Sequence, residues 1–212
     1  MIVKVCGMRD GGNIRDVESL GADWMGFIFF PRSPRYVSEP PACLPTAMKR
    51  IGVFVNASDE DIMRRVGEYS LYGVQLHGSE PPEQCLRLRR SGVMVMKAFA
   101  IGSPSDLSAT VPYDGAADFF LFDTPCPGFG GSGRCFDWSL LARYQGDTPF
   151  LLSGGISLAT AEALRTFSHP AFAGIDVNSG FETAPAMKDV RSLAEFLRKI
   201  GKGGFRQPYN NL

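Results

Sequence analysis

The sequence is poor in the residues that hold metals and cross-link secreted proteins. It has only two histidines, and its five cysteines form no Cys-x-x-Cys pair. Zinc sites draw on clustered cysteine and histidine, and small secreted domains use cysteine frameworks, so both classes are disfavoured. Free thiols favour a reducing compartment, and no secretory signal profile precedes the first strand-like run. We therefore expect a cytoplasmic protein that holds no metal.

Long apolar runs and an excess of either charge are also missing. The strongest apolar run, residues 24–30, is much shorter than the roughly 20 residues that a membrane-spanning helix needs. Lysine and arginine together number 22, as do aspartate and glutamate, so the formal net charge is zero. No block of like charge favours a nucleic acid or a membrane as partner. Any anion that the protein binds should therefore be held by a local site.

Strand-like and helix-like stretches alternate along the 212 residues. Runs rich in β-branched and aromatic residues predict eight strands, at residues 2–5, 24–29, 50–55, 73–76, 93–98, 118–122, 149–152 and 173–177. Amphipathic stretches between them predict helices at residues 13–20, 58–69, 82–91, 138–144, 158–166 and 187–200. A short helix is expected after the fifth strand. We interpret the pattern as eight β-then-α units, each close to the minimal size of a βαβ unit.

Several of the predicted strands are apolar on both faces, which is typical of a parallel sheet covered by helices. Eight units without a break predict an α/β protein with a single (β/α)8 TIM barrel, spanning residues 1–200. The glycine-rich polar tail, residues 201–212, is expected to be frayed. The alternative is an open doubly wound sheet. That fold more often has a GxGxxG turn after its first strand, where this chain has Cys6-Gly7-Met8-Arg9.

Small residues follow the last two predicted strands, at the end of a barrel where active sites form. Their backbone N–H groups could approach an anion, and barrels commonly bind phosphate there. A single glycine-rich loop could equally be a tight turn. Two such loops in succession favour phosphate binding, with four candidate residues: Gly154, Gly155, Ser179 and Gly180.

Cys6 ends the first strand and shares the parity of Lys4, so both are expected to face the barrel interior. A thiolate at the barrel mouth could abstract a proton, although free cysteines are more often small buried hydrophobes. A thiol with a pKa near ~8.5 is only partly ionised at neutral pH, so a base role needs a cationic or polar neighbour. Because a buried lysine needs a carboxylate partner, we expect Lys4 to pair with Asp176 on the eighth strand.

Asp123 ends the sixth strand after four apolar residues. Burial there would raise its pKa and suit it to donate a proton, while a helix-capping or loop-stabilising role is an equal alternative. Arg35 lies in a loop stiffened by two prolines, where its guanidinium could bind a carboxylate, although most loop arginines are solvated. His77 follows the fourth strand and could be a second base. A loop histidine more often bonds to the backbone, so we leave it out of the catalytic set.

Taken together, these residues and the short sequence blocks around them resemble the phosphoribosylanthranilate isomerase family of tryptophan biosynthesis. The resemblance covers nearly the whole chain and rests on the joint order of short blocks, which include Lys4-Val5-Cys6-Gly7, Ser33-Pro34-Arg35-Tyr36-Val37, Val74-Gln75-Leu76-His77-Gly78, Phe122-Asp123, Gly130-Gly131-Ser132-Gly133, Leu152-Ser153-Gly154-Gly155 and Asp176-Val177-Asn178-Ser179-Gly180.

The resemblance implies an Amadori rearrangement of a phosphoribosylated anthranilate, without cofactor or metal, in a monomer or a homodimer. Asp123 matches the family's general acid and Cys6 its general base. Arg35 matches the residue that holds the anthranilate carboxylate, Asp176 the residue beside the ribose, and the four loop residues the phosphate site. The chain departs from the family at Asn178, where serine is frequent, and at Ala186, where glycine is usual. Cys126 lies in the loop after Asp123, a segment that could act as a lid.

Two rival functions remain at this point. Another barrel enzyme, such as indole-3-glycerol phosphate synthase, would lead us to expect a lysine acid, for which Lys97 near the end of the fifth strand is the candidate. An epimerase would need metal-binding histidines. A phosphosugar-binding protein without catalysis is the second rival, because fold alone does not prove function. The presence of both Cys6 and Asp123 favours the isomerase.

Overall fold

The eight predicted strands close into a parallel barrel. The computed structural model describes residues 1–124 and 137–202, and within them β1 to β8 follow one another around the barrel, with β8 pairing back onto β1. The strands are β1 (Ile2–Val5), β2 (Trp24–Ile28), β3 (Lys49–Phe54), β4 (Gly73–Leu76), β5 (Met94–Ala100), β6 (Phe119–Asp123), β7 (Phe150–Leu152) and β8 (Phe172–Val177). Each lies within two residues of its predicted bounds. Closure rules out the open doubly wound sheet, which leaves two unpaired edges.

Five α-helices and four 3-10 helices lie within the described residues. The α-helices are α1 (Gly11–Ser19), α2 (Asp59–Tyr69), α3 (Pro82–Arg90), α4 (Ala161–Thr166) and α5 (Val190–Lys199). The 3-10 helices are Pro104–Tyr113, Trp138–Arg143, Leu158–Thr160 and Ser179–Phe181. A two-stranded hairpin, β9 (Glu182–Ala184) and β10 (Met187–Lys188), separates β8 from α5. No helix of this described part is long and apolar enough to cross a membrane.

The prediction of a helix in every unit is wrong for the second unit. Residues 29–48, between β2 and β3, contain turns and a single bridge but no helix. The segment carries prolines at five positions, and proline removes a backbone donor and restricts the residue before it. They are Pro31, Pro34, Pro40, Pro41 and Pro45.

The last helix also begins later than predicted. The prediction started at residue 187, but Met187 and Lys188 form β10, and α5 starts at Val190. Asp189 caps the helix, since its side chain accepts from the backbone N–H groups of Arg191 and Ser192. The predicted helix after the sixth strand is a 3-10 helix, Trp138–Arg143.

Strand alternation sorts the apolar side chains into two cores. One lies inside the barrel, and the larger one lies between the strands and the surrounding helices. The interior core is built from Trp24, Ile51, Met96, Ala98, Leu121 and Leu151. It fills the lower part of the barrel, so the cleft above it opens at the carboxyl ends of the strands.

The chain after α5 is described only as far as Lys202, whose ammonium contacts the carboxylate of Asp23 at 2.7 and 2.5 Å. The remaining residues of the tail that we expect to be frayed, 203–212, lie outside the described residues.

Candidate active site

One cleft at the barrel mouth brings together the eight residues that the sequence analysis assigned to the isomerase site. Including its open mouth, it encloses about 780 Å³. Its walls include Cys6, Arg35, Asp123, Gly154, Gly155, Asp176, Ser179 and Gly180. They come from β6 and β8 and from the segments that follow β1, β2, β7 and β8, so closure of the barrel is what brings these distant segments together.

The expected pair between Lys4 and Asp176 is confirmed. Their side chains meet at 2.9 Å in the barrel interior, because β1 and β8 are neighbours and place these two residues opposite each other. Lys4 is fully buried and Asp176 is 5% exposed. Burial would lower the pKa of Lys4, but the Asp176 carboxylate and the neighbouring Cys6 together raise it, so the ammonium keeps its charge.

Cys6 lies beside this ammonium. Burial raises the pKa of the Cys6 thiol, and the charges of Lys4 and Lys188 act against that rise. The cationic neighbour that a base role requires is therefore present, although burial outweighs it. Gly26 on β2 leaves the space for the thiol, since a Cβ at that position would lie 2.7 Å from the Cys6 sulfur.

Asp123 projects into the cleft from the end of β6. Burial raises the pKa of its carboxyl to about 6, in spite of a hydrogen bond from the backbone N–H of Thr124 and one from Ser153. Asp176 adds to the rise and Lys4 opposes it. A carboxyl with this pKa holds a proton in part of the molecules at neutral pH, as a general acid requires.

His77 also lies in the cleft, beside Asp123, and the sequence analysis left it out. Its Nε2 is 3.6 Å from an Asp123 oxygen, and its Nδ1 is 2.7 Å from the side-chain amide of Gln75. Burial, with the charges of Lys97 and Lys4, lowers the pKa of His77 to about 4, so the ring is neutral at neutral pH. Strand parity could have indicated this position from the sequence, because His77 lies two residues after Gln75 and therefore faces the barrel interior on the same side.

Arg35 is held in place by an acidic residue that the sequence analysis missed. Its guanidinium makes a forked contact with Glu182 of β9, at 2.9 and 3.0 Å from Nε and 2.6 Å from Nη2. The side chain of Lys188 joins the same carboxylate at 2.6 Å and the Asn178 amide oxygen at 2.8 Å. Asn178, where the family frequently has serine, therefore supplies a hydrogen-bond acceptor for the Lys188 ammonium at the edge of the cleft.

The two loops predicted to bind phosphate lie against each other in the wall of the cleft, where a Cβ on Gly180 would meet the backbone of Ile156. Gly154 and Gly155 have φ of 76° and 68°, a backbone region that favours glycine. The 3-10 helix Ser179–Phe181 follows β8 directly. Among residues 1–124 and 137–202, no protein acceptor takes the backbone N–H groups of Gly154, Gly155, Ser179 and Gly180.

Lys97, the candidate acid of a synthase, does not line this cleft. Its ammonium contacts Glu80 at 3.1 Å and the backbone carbonyl of Gly78 at 2.7 Å, and the side chain is 3% exposed. No group of three histidine, cysteine, aspartate or glutamate side chains in the described ranges could hold a metal ion. The glycine-rich loop at residues 128–133 and Cys126 lie outside the described residues.

Comparison with known proteins agrees with the geometry. A family described as N-(5'phosphoribosyl)anthranilate (PRA) isomerase matches residues 3–199. The N-(5'-phosphoribosyl)anthranilate isomerase of Phocaeicola vulgatus is 54% identical over 200 residues, which cover 94% of this chain and 98% of the relative.

Solved structures are similar over nearly the whole chain. Phosphoribosyl anthranilate isomerase from Thermotoga maritima has a TM-score of 0.79 and 34% identity, covering 95% of this chain and 99% of the other. Another similar structure is a phosphoribosyl anthranilate isomerase in complex with reduced 1-(o-carboxyphenylamino)-1-deoxyribulose 5-phosphate. It has a TM-score of 0.76 and 32% identity, with the same two coverages of 95% and 99%.

Proposed function

The chain belongs to the N-(5'-phosphoribosyl)anthranilate isomerase family, and on that premise we propose how the residues of its cleft carry out the reaction. The enzyme converts N-(5'-phosphoribosyl)anthranilate to 1-(o-carboxyphenylamino)-1-deoxyribulose 5-phosphate in tryptophan biosynthesis. The reaction opens the ribose ring and moves hydrogen from C2 to C1, so it needs one proton donor and one proton acceptor.

Asp123 is the general acid of this proposal. Its proton passes to the ribose ring oxygen as the C1–O bond breaks, and the lone pair of the anthranilate nitrogen forms the C1=N bond of a Schiff base. The observation that carries the assignment is the pKa of about 6, which burial at the end of β6 produces. An exposed aspartate would almost never hold a proton at neutral pH.

Cys6 is the general base. It removes the proton from C2, and the C2–H electron pair forms the C1=C2 bond while the C1=N pair returns to nitrogen. The resulting enolamine gains a proton at C1 and loses the proton of its C2 hydroxyl, whose O–H electron pair forms the C2=O bond of the ketone. The charge of Lys4 stabilises the thiolate of Cys6. Asp176 keeps Lys4 in place through their 2.9 Å contact, and Asp176 also faces the ribose of the substrate.

The two ends of the substrate are held by separate anion sites. Arg35 binds the anthranilate carboxylate, which suits the planar donors of a guanidinium. The backbone N–H groups of Gly154, Gly155, Ser179 and Gly180 bind the phosphate. Donors on both loops support this assignment, because they line the cleft and take no acceptor from the described residues, which leaves them open to an anion.

The remaining parts of the proposal concern the chain as a whole. Residues 1–200 form the catalytic domain of this proposal. The enzyme uses no cofactor and works as a monomer or a homodimer. Free thiols at Cys6, Cys43 and Cys85 favour a reducing compartment, which supports a place in the cytoplasm.

The test mixes the enzyme with freshly generated phosphoribosylanthranilate and follows the loss of its fluorescence. We expect a fast decay and a product of unchanged mass. Release of carbon dioxide when 1-(o-carboxyphenylamino)-1-deoxyribulose 5-phosphate is supplied instead would favour the synthase reaction. A decay no faster than in buffer would leave the phosphosugar-binding protein as the better interpretation.

A further inference from the structure

The guanidinium that we assign to the substrate carboxylate already holds a protein carboxylate. Glu182 accepts from Nε and from one N–H of Nη2 of Arg35. A guanidinium has five N–H donors, so the described residues leave three without an acceptor, two on Nη1 and one on Nη2. These three lie on the edge of Arg35 that Glu182 does not cover. Arg35 is 13% exposed, and it lines the cleft.

Glu182 is itself held firmly from a second side. Lys188 donates to Oε1 at 2.6 Å, and the backbone N–H of Ala186 donates to the same oxygen at 3.2 Å. Glu182 is 5% exposed and the Lys188 side chain is fully buried. Burial would raise the pKa of Glu182, but Arg35 and Lys188 together bring it below its ordinary value, so the group is a carboxylate.

The charges of the cluster leave room for one more anion. Arg35 and Lys188 carry two positive charges and Glu182 one negative charge, so the cluster is cationic by one unit. A single added carboxylate neutralises it, and because the site is largely buried that attraction is screened less than at the surface. Without Glu182, two neighbouring cations would repel and Arg35 would lose the fork that fixes its plane.

We propose that Glu182, held by Lys188, is a positioning residue that fixes the plane of Arg35 so that its free edge takes the carboxylate of an ortho-carboxyphenyl substrate. The inference rests on the proposed function, in which Arg35 binds that carboxylate. It excludes the opposite role, in which Glu182 competes with the substrate and must leave Arg35 before the carboxylate can bind.

The two roles predict opposite results for Glu182→Gln. Positioning predicts that KM rises about tenfold while kcat stays within roughly twofold, since a misoriented charged donor weakens binding more than chemistry. Competition predicts a lower KM. The matched control is Glu195→Gln, which removes a glutamate from an exposed pair with Lys199 and should leave both constants unchanged.

Two further measurements separate this inference from the proposed function. The first uses N-(5-phosphoribosyl)aniline, which lacks the carboxylate, and its KM should not respond to Glu182→Gln. The second measurement introduces Glu182→Gln into the Arg35→Leu variant. In that variant, Glu182→Gln should have no further effect on KM. If Arg35→Leu alone leaves KM unchanged, the carboxylate assignment in the proposed function is wrong. If Arg35→Leu raises KM and Glu182→Gln does not, only the positioning role is wrong.

Glu182→Asp keeps the test decisive if Glu182→Gln does not fold. Aspartate keeps the charge but is shorter by one methylene, so it cannot span both Arg35 and Lys188. We expect a raised KM with an unchanged kcat. A wild-type KM in a folded Glu182→Asp variant would overturn the positioning role.

Discussion

Gly26 should control activity although it has no side chain. It lies inside the barrel on β2, where an added Cβ would meet the Cys6 sulfur at 2.7 Å and the Cys6 Cα at 3.1 Å. Carbon atoms in contact prefer about 3.5–4.0 Å, so Gly26→Ala must displace Cys6 by roughly 1 Å. Because the backbone of Cys6 is also in contact, the whole residue has to move and not only its sulfur.

The expected loss of activity follows from that displacement. A misplacement of about 1 Å in a reacting group can lower the rate by roughly 10²-fold, and we expect that loss in kcat. Overpacking should also destabilise the fold by about 1–3 kcal/mol. Kcat from the fluorescence decay and the free energy of unfolding from urea titration are measured on the same preparations.

Gly52→Ala is the matched control. Gly52 is also a glycine in the middle of a strand, but its added Cβ would meet Leu71 at 2.6 Å and Phe54 at 2.7 Å, in the core outside the barrel. It should lose similar stability and keep its kcat. Equal losses of kcat in both variants, or an unchanged kcat in Gly26→Ala, would refute a base at Cys6 held in place by β2.

Two further predictions concern pH and backbone strain. The reactive state has a proton on Asp123 and none on Cys6, so it carries one proton in total. Its share of the enzyme rises with pH through about 6, where the form with both groups protonated is lost, and falls above the raised pKa of Cys6, where both groups are deprotonated. We therefore expect kcat/KM to rise and then fall over the same range. A profile that falls with a midpoint near 6 would contradict this pairing. Ala186 has φ of 67°, which costs a residue with a Cβ about 1–2 kcal/mol. Ala186→Gly should therefore stabilise the fold by roughly 0.5–1 kcal/mol after the greater chain entropy of glycine, and an unchanged or lower melting temperature would contradict it.

Local pattern was sufficient to predict the barrel and much of its interior. Strand parity placed Lys4 and Cys6 inside, and the need of a buried lysine for a carboxylate identified Asp176 as its partner. Both predictions hold because β1 and β8 must be adjacent in a closed barrel. The interpretation as eight β-then-α units implied a helix between β2 and β3, and none forms there because the five prolines of that segment disfavour it.

The Arg35 network could not be predicted in the same way. Glu182 is 147 residues from Arg35, and nothing in the sequence of its own hairpin indicates that it contacts Arg35. Strand parity could have predicted that His77 faces the barrel interior, but His77 was interpreted as a loop residue that bonds to the backbone. It continues the inward-facing series of Gln75, which the structure places directly beside it.

The most direct test of the mechanism compares turnover of phosphoribosylanthranilate by the wild type, Cys6→Ser, Asp123→Asn and His77→Asn, each shown to be folded. General acid and base groups each contribute about 10²–10⁴-fold, so Cys6→Ser and Asp123→Asn should lose at least about 10²-fold in kcat. His77→Asn should keep most of its activity. Activity that survives Cys6→Ser but is lost in His77→Asn would contradict the assignment and identify His77 as the base.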